Sequence, residues 1–366
     1  MKIGFYFLLF IVGVAIAYQW RDFASATLPG VWEQIKNNGV QIGILLTFVS
    51  SLAGLISSLG NFQIARSNLK LTEDKLVTER LAKAFEQLES ANSTTRLSAI
   101  YTLERIATQS IAECQVIIEI LASFIRSNTP VQIEDQDILL PAASEAKAAL
   151  TVIANLTRNQ RLNRTQTIDK VDGSGFYLAQ IALTGLNLRG MNLCHADLRA
   201  CDLDGTDLED SDLIQADFTR AYLGKANLRN TKLSKAILKQ VNVADRQTKQ
   251  SDFSHADLTE AELTQAQLSG SIFTNAVLYS ADLRSANLRE ADLRYAILSR
   301  ANFTNADLSQ ADLSYANLVN TKLEGADLYK ARFIQAKISD FDRIKAAKNW
   351  ETADYDPIVR EKLGLL

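Results

Sequence analysis

The sequence predicts a solenoid of square coils, preceded by two membrane-spanning helices and a small all-α domain. Three observations predict it. From Phe176 to Asp340 the chain divides into consecutive five-residue words without insertion or deletion, and the central residue is Leu in 25 words, Phe in 5, and Val243, Thr248 and Ile338 in the other three. Two uncharged apolar runs, Ile3 to Tyr18 and Gly39 to Gly60, stand near the N-terminus. Between these runs and the words, apolar residues recur at helical spacing.

The second run holds 22 residues. At helical rise it reaches about 33 Å, enough for a bilayer core, while the first reaches about 24 Å and is edged by Trp20. The reading is two transmembrane helices, about 3–20 and 39–60, joined by a short loop in a segment 1–61. A signal-peptidase site at Ala15-Ile-Ala17 is the rival reading for the first. Arg66, Lys70, Lys75 and Arg80 follow the second run, whereas Arg21 and Lys36 of the loop are balanced by Asp22 and Glu33. The positive-inside tendency therefore predicts a multi-pass protein of an inner or internal membrane, with everything after residue 61 in the cytoplasm. Ser50, Gly54 and Ser58 share one helical face and offer a close-approach surface for self-association, although small residues are also common in membrane helices generally.

Residues 62–170 read as a helical spacer. Val77, Leu81, Phe85 and Leu88 form one apolar stripe, Leu97, Ile100, Leu103 and Ile106 a second, and Ile117, Leu121, Phe124 and Ile125 a third. Ser93 or Thr94 can cap the second helix, and Pro141 opens a fourth carrying Ala146, Leu150 and Ile153.

A period of five excludes both regular structures for the words. On a helix every fifth residue walks around the surface, and on a flat strand residues five apart point to opposite faces. What remains is a chain that turns a corner in each word, so that each central residue and the small residue two before it point to one interior axis. Sorted into four columns at intervals of twenty, the column of Leu198 and Phe218 has Ala at every small position from Ala196 to Ala336, and the column of Leu193 holds Phe253, Phe273 and Phe333. Leu198, Phe218, Leu258, Leu288 and Phe303 are expected in the core. The word Arg246 to Gln250 would put Arg246 and Thr248 inside, which is too costly for an unpaired cation. An outward bulge over Ala244 to Gln250 is therefore expected.

Words such as Ala196-Asp-Leu-Arg-Ala and Ala281-Asp-Leu-Arg-Ser resemble the motif of the pentapeptide-repeat family, over 165 of 366 residues. The resemblance implies a right-handed quadrilateral β-helix over 171–340, here about eight coils and roughly 40 Å long at the usual strand spacing. The segment Glu79 to Leu88 with Arg96 to Ala107 is similar to the helices found between paired membrane helices and pentapeptide repeats in bacterial proteins, and its second half resembles a HEAT-type helix. An open solenoid end exposes strand edges and apolar core, so residues 341–366, with Trp350, Tyr355 and Leu363, are expected to cap it. The helix near residue 150 or the words around Phe176 are expected to close the other end.

Chemistry-bearing patterns are scarce. His195 and His255 fall in one column three coils apart, about 14 Å and too far to share a metal. Cys114, Cys194 and Cys201 lack metal-ligand spacing, and no phosphate loop or nucleophile motif occurs. No cofactor is expected. Aspartates mostly precede the central Leu, where Asp or Asn serves turn hydrogen bonding. Their clustering is distinctive: Asp202, Asp204, Asp207, Glu209, Asp210, Asp212 and Asp217 form an acidic band, followed by a basic band of Arg220, Lys225, Arg229, Lys232, Lys235 and Lys239. This charge step is the candidate protein-binding surface. The basic band has Tyr222 as its only aromatic, so nucleic-acid binding is not indicated.

The functional expectation is a non-enzymatic, membrane-anchored scaffold presenting the solenoid to an unknown protein partner. The first alternative is DNA mimicry, since some pentapeptide-repeat proteins present acidic rods to type II topoisomerases. Residues 176–340 carry 21 acidic and 18 basic residues, a net of -3 that argues against it. An enzymatic or regulatory role of the helical domain is the second alternative.

Overall fold

The computed structural model describes residues 29–128, 142–163, 171–243 and 250–365, with backbone alone over 29–53, 55–56, 111–112, 128, 142–143 and 159–163. The apolar run 3–18 and Pro141 lie outside the described residues. The chain divides into two compact units, Met1–Thr78 and Glu79–Leu366.

In the first unit the described chain is one helix. Helix α1 spans Pro29–Leu88 and runs through Gly54 and Gly60 without a break, so no helix end falls at residue 61. The run 39–60 lies wholly on it, but the side chains over most of that run are outside the described residues. Among those that are described, no helix is long and apolar enough to cross a membrane.

The second unit begins with a helical bundle formed by the end of α1, α2 (Ser93–Gln109), α3 (Ile111–Asn128) and α4 (Ala142–Asn163). Its core follows the apolar spacing: Leu81, Leu88, Ile100, Leu103, Ile106, Ile117, Leu121, Ile125, Leu150 and Ile153 are buried, while Phe85 and Leu97 are half-buried. Val77, in the first unit, is also half-buried. The cap of α2 is Asn92 rather than Ser93 or Thr94, because its Oδ1 accepts from the amides of Thr94 at 2.8 Å and Thr95 at 3.4 Å. One ion pair is buried here, Arg96 Nη2 to Glu145 Oε1 at 2.6 Å. Burial alone would raise the Glu145 pKa, but hydrogen bonds from Ser144, Ser93 and Arg96 outweigh it and hold the carboxyl below its ordinary value.

Among the described residues from Val171 to Asp340 the solenoid repeats in five-residue words, and the residue before each centre forms parallel bridges, in an inner word one to the coil before and one to the coil after. The amides from Asp197 to Cys201 show how one word is held. Asp197 N–H donates to Phe176 O of the preceding coil (2.8 Å), while Leu198 and Ala200 donate to Asp217 O (2.7 Å) and Thr219 O (2.9 Å) of the following coil. Cys201 N–H closes the corner on Leu198 O (3.2 Å), and the remaining amide, Arg199, is taken by the Asp197 side chain at 3.1 Å. Every amide of the word has an acceptor. The residue two after the centre is left-handed, with φ between 54° and 63° at the non-glycine positions from Gln180 to Gln240 and from His255 to Gln335. No Thr, Val or Ile occupies that position, as β-branched residues resist this conformation.

The bulge expected over Ala244 to Gln250 falls on 244–249, which lie outside the described residues, but the coil register changes across that stretch. Bridges join residues twenty apart up to Tyr222 with Asn242, then twenty-five apart from Asn227 with Asp252 to Asn242 with Gln267, and twenty apart again from Asp252 with Ile272. Each later word consequently stacks one face earlier than a strict twenty-residue count places it. The four faces are built on Leu178, Leu198, Phe218, Leu238, Leu263, Leu283, Phe303 and Leu323 (face 1); Leu183 to Val243, then Leu268 to Leu328 (face 2); Leu188, Leu208, Leu228 and then Phe253 to Phe333 (face 3); and Leu193 to Leu233, then Leu258 to Leu318 (face 4). The column arithmetic of the sequence is corrected accordingly. Ala196, Ala216 and Ala236 continue into Ala261 rather than Ala256, and His195 and His255 lie on different faces. The rings of Phe253 and Phe273 stack at 4.7 Å.

Inside, the described central residues from Leu178 to Phe333 are buried, Leu198, Phe218, Leu258, Leu288 and Phe303 fully. Where Ser, Thr or Cys replaces the small Ala, its side chain mostly donates to a central carbonyl of the neighbouring coil, as in Thr206 to Leu183 O and Ser211 to Leu188 O, both 2.9 Å, while Thr231 turns back to Leu228 O of its own coil at 2.6 Å. Ser271 Oγ is buried without such a partner. In the first coil the small positions hold Val171, Phe176, Ile181, Leu186 and Met191, which plug that end, with Gly173 as the centre that leaves room. A Cβ there would come within 2.9 Å of Leu193 and Phe176. Arg126 of α3 completes the closure, donating to Asp172 O at 3.2 Å and lying 5.6 Å over the Phe176 ring.

At the other end Asp340 caps α5 (Phe341–Lys345), Lys348 and Asp354 bridge Asp327 and Arg332, and α6 (Pro357–Leu363) follows. Ile344, Tyr355 and Leu363 are buried, and Tyr355 stacks on Phe333 at 5.3 Å. The cap covers the open core as the sequence suggested.

Two predictions follow from register and core. Leu288→Asp should cost about 3–5 kcal/mol in denaturant unfolding by placing a carboxylate among stacked leucines, whereas exposed Arg289→Asp should stay within about 0.5 kcal/mol; equal losses would refute the register. Ser211→Ala should destabilise by about 1 kcal/mol through its lost hydrogen bond, while Ser271→Ala should be neutral or stabilising. A larger loss at Ser271 would contradict the geometry.

Candidate functional site

Because the interior repeats, any selectivity resides on outward positions, which are the bridge residue and the two corner residues of each word. The structure places the expected charge step on consecutive coils rather than on one face. Asp202 and Asp204 stand on face 2, Asp207, Glu209 and Asp210 on face 3, Asp212 on face 4 and Asp217 on face 1, so the acidic band is a ring around the rod. The basic residues form the next ring, with Lys225 on face 2, Arg229 on face 3, Lys232 and Lys235 on face 4, and Arg220 and Lys239 on face 1.

Stacked rings of opposite sign bond to each other. Lys232 reaches Asp212 at 3.4 Å, Lys235 reaches Glu260 at 3.7 Å, Lys239 reaches Glu262 at 2.5 Å and Arg229 reaches Asp252 at 3.2 Å. Arg189 spans Glu209 and Asp210, each at 2.8 Å. Charges only a few ångströms apart cancel beyond a Debye length of about 8 Å, so the step projects a weak far field. Several of these acids are also committed to the wall. Asp202 Oδ1 accepts from Asp204 N and Asp207 Oδ1 from Glu209 N, both at 3.1 Å.

The same commitment shows in acidity. For Asp292, burial works against ionisation but is outweighed by hydrogen bonds from the Arg294 side chain and amide and from Thr274, so its pKa lies below the ordinary value. Asp282 and Asp257 are shifted the same way: burial raises each, and the hydrogen bonds of Arg284, or of Thr259 and Ser234, outweigh it.

A second surface emerges that the sequence reading missed. On face 4 the bridge residues Val277 and Ile297 pair side by side, with Tyr279 and Val319 beside them and Arg300 lying 5.6 Å over the Tyr279 ring. At the adjoining corner Tyr295 and Tyr315 stack at 4.7 Å and 8°. Tyr295, Ile297 and Tyr315 are exposed. No acidic residue occupies an outward position of this face from Val277 to Asn320. The signal in the sequence was the twenty-residue spacing of Val277 with Ile297 and of Tyr295 with Tyr315, visible once outward positions are sorted by coil.

Chemistry is sparse. A groove of about 350 Å³ runs along the face 1 corner past Arg199, Thr219, Arg220, Lys239 and Gln240, with Arg199 already bound to Asp197 at 2.7 Å. A second, of about 390 Å³, lies in the helical bundle between Phe85, Leu88, Ile120 and Phe124. Among the described residues no three His, Cys, Asp or Glu side chains gather as a metal site. Cys201 is buried, donates to Leu178 O at 2.7 Å, and its pKa is pushed up to about 12 by burial. It is a core residue rather than a nucleophile.

The family profile described as Pentapeptide repeats matches eight copies, over 177–213, 211–243, 249–275, 271–310 and 306–342. The chain belongs to the pentapeptide-repeat family. Its matches skip 244–248, where the coil register changes. Similar solved structures include QnrB1, a plasmid-mediated fluoroquinolone resistance protein, at 18% identity over 51% of this chain and 93% of that one, with a TM-score of 0.43. They also include HetL, a pentapeptide repeat protein involved in heterocyst differentiation regulation in the cyanobacterium Nostoc sp. strain PCC 7120, at 24% identity over 55% and 93%, TM-score 0.25. A further Nostoc PCC 7120 pentapeptide repeat protein is 38% identical over 29% and 86%, TM-score 0.26. No curated protein matches the sequence.

The lowered carboxylates give a pH prediction. A carboxyl whose pKa is depressed on folding contributes stability that is present above its unfolded pKa and is lost as pH falls through the folded value. Solenoid stability should therefore decline on acidification from the ordinary aspartate range downward. Asp292→Asn, which keeps the amide acceptor, should flatten that decline and cost less at neutral pH than Asp292→Ala. An unchanged pH profile in the Asn variant would refute the assignment.

Proposed function

We propose that the chain is a non-enzymatic, membrane-anchored scaffold that presents the pentapeptide-repeat solenoid on the cytoplasmic side for protein contact. The observation that carries the contact role is face 4 between Val277 and Asn320, apolar and aromatic, with one arginine and no acid. Protein interfaces are enriched in aromatic residues and Arg and depleted of Lys, Glu and Asp at their cores. The charge step from Asp202 to Lys239 is the second candidate surface, and its coil-to-coil ion pairs would have to be exchanged for those of a partner.

The anchor rests on the sequence. Residues 39–60 carry no charge, lie on one continuous helix, and are followed by Arg66, Lys70, Lys75 and Arg80. DNA mimicry is the weaker reading. It needs a continuous acidic surface, whereas the acids here form rings interleaved with basic rings.

Two measurements test this reading. The chain should remain in the membrane fraction after an alkaline wash, and a reporter fused after Leu366 should be active in the cytoplasm; release by the wash, or activity only outside, would refute the anchor or its orientation. Tagged full-length chain captured from solubilised membranes should lose its partners on Ile297→Asp with Tyr295→Ala, and retain them when Lys232, Lys235 and Lys239 are changed to Glu. The reverse pattern would assign binding to the charge step, since exposed charges contribute little to folding.

A further inference from the structure

In the first unit, α1 carries large apolar side chains that no described residue covers. Phe62, Leu69 and Leu76 are 66%, 63% and 46% exposed and recur every seven residues. Ser58, Ala65 and Thr72 recur at the same interval between them and are also exposed. Alternating steps of three and four residues make one continuous stripe on a helix wound to 3.5 residues per turn. From Ser58 to Leu76 that stripe holds no charge, although Arg66, Lys70, Glu73, Asp74 and Lys75 crowd the same segment.

We propose that this stripe is the seam of a parallel coiled coil with a second copy of the chain. A period of 3.5 fits another helix of the same period, and sustained heptads impose the supercoil that keeps the two seams together. In a parallel, in-register pair each seam residue meets its own copy, so a charged residue would always face a like charge. A seam free of charge in a charged segment meets that demand. The next position at this spacing is Glu79, a charged residue, and the stripe stops before it. Ile64 and Leu71 are exposed on another side, but the stripe through them includes Asn61, Asn68 and Lys75, whose burial would be costly. The seam shares only Ser58 with the Ser50, Gly54 and Ser58 stripe, and it does not depend on membrane anchoring.

The test uses the full chain in mild detergent, in a Cys194→Ser background that removes the partly exposed thiol. Single substitutions Ala65→Cys and Thr72→Cys on the seam, and Ser67→Cys away from it, are oxidised and resolved by size. Ala65→Cys and Thr72→Cys should give covalent dimers and Ser67→Cys should not, because only seam positions bring two Cβ atoms to disulfide distance. Adding Phe62→Glu and Leu69→Glu should abolish the dimer while leaving the thermal unfolding of the solenoid unchanged. Equal cross-linking at Ser67→Cys, a monomeric mass in detergent, or dimers formed only between Phe62→Cys and Leu76→Cys chains, the mark of an antiparallel pair, would each overturn the proposal.

Discussion

The inter-coil hydrogen bond is the constraint on which the rest of this protein depends. Each word offers its amides in fixed directions, one to the coil before and two to the coil after, and a fourth closes the corner. Where the bridge residue is Asp or Asn, its side chain can take the fifth, as Asp197 does for Arg199 N–H. That arithmetic explains the composition of the repeat. Asp or Asn precedes the central Leu because an Asx oxygen reaches the amide two residues on. Ala sits at the corner because the wall turns inward there, and Ser or Thr is admitted where its hydroxyl can reach a central carbonyl of the adjoining coil. The buried ladder of leucines then supplies the driving force, with each coil covering the next.

The same stacking governs the charges. Residues one coil apart lie within reach of each other, so charge patterns twenty or so residues apart in sequence become neighbours in space. An acidic stretch followed by a basic one, which along the chain looks like a dipole, becomes two stacked rings, joined to each other by Lys232 with Asp212 and to the coils on either side by the other ion pairs. Such pairs at the surface are individually worth little, on the order of 0–1 kcal/mol. Their larger effect is to quiet the surface, leaving the apolar and aromatic part of face 4 as the most distinctive patch among the outward positions described.

The change of register between Asn242 and Ser251, where pairing is twenty-five residues apart in place of twenty, keeps the five-residue words in step. Omitting two or three residues would twist every later central residue out of the core. Omitting five keeps each centre inside and shifts only the face on which it stands. The outer surface of the second half is therefore set against the first by one face, and that offset brings Val277 and Ile297 onto the face of Lys232.

The sequence by itself determined the solenoid, its approximate ends, its core ladder and the helical bundle, because those depend on periods of five and of 3.6 that are local and redundant. Leu288, Phe303 and the stripes of α2 and α3 were legible for that reason. It also exposed the broken word, since Arg246 and Thr248 violate the inward pattern. What only the tertiary structure decided was how that break is absorbed, because Asn227 pairing with Asp252 is a choice between coils distant in sequence. The Asn92 cap, the plug around Gly173 and the pairing of Lys235 with Glu260 were settled the same way, each by which atoms the fold brings within hydrogen-bonding or contact distance.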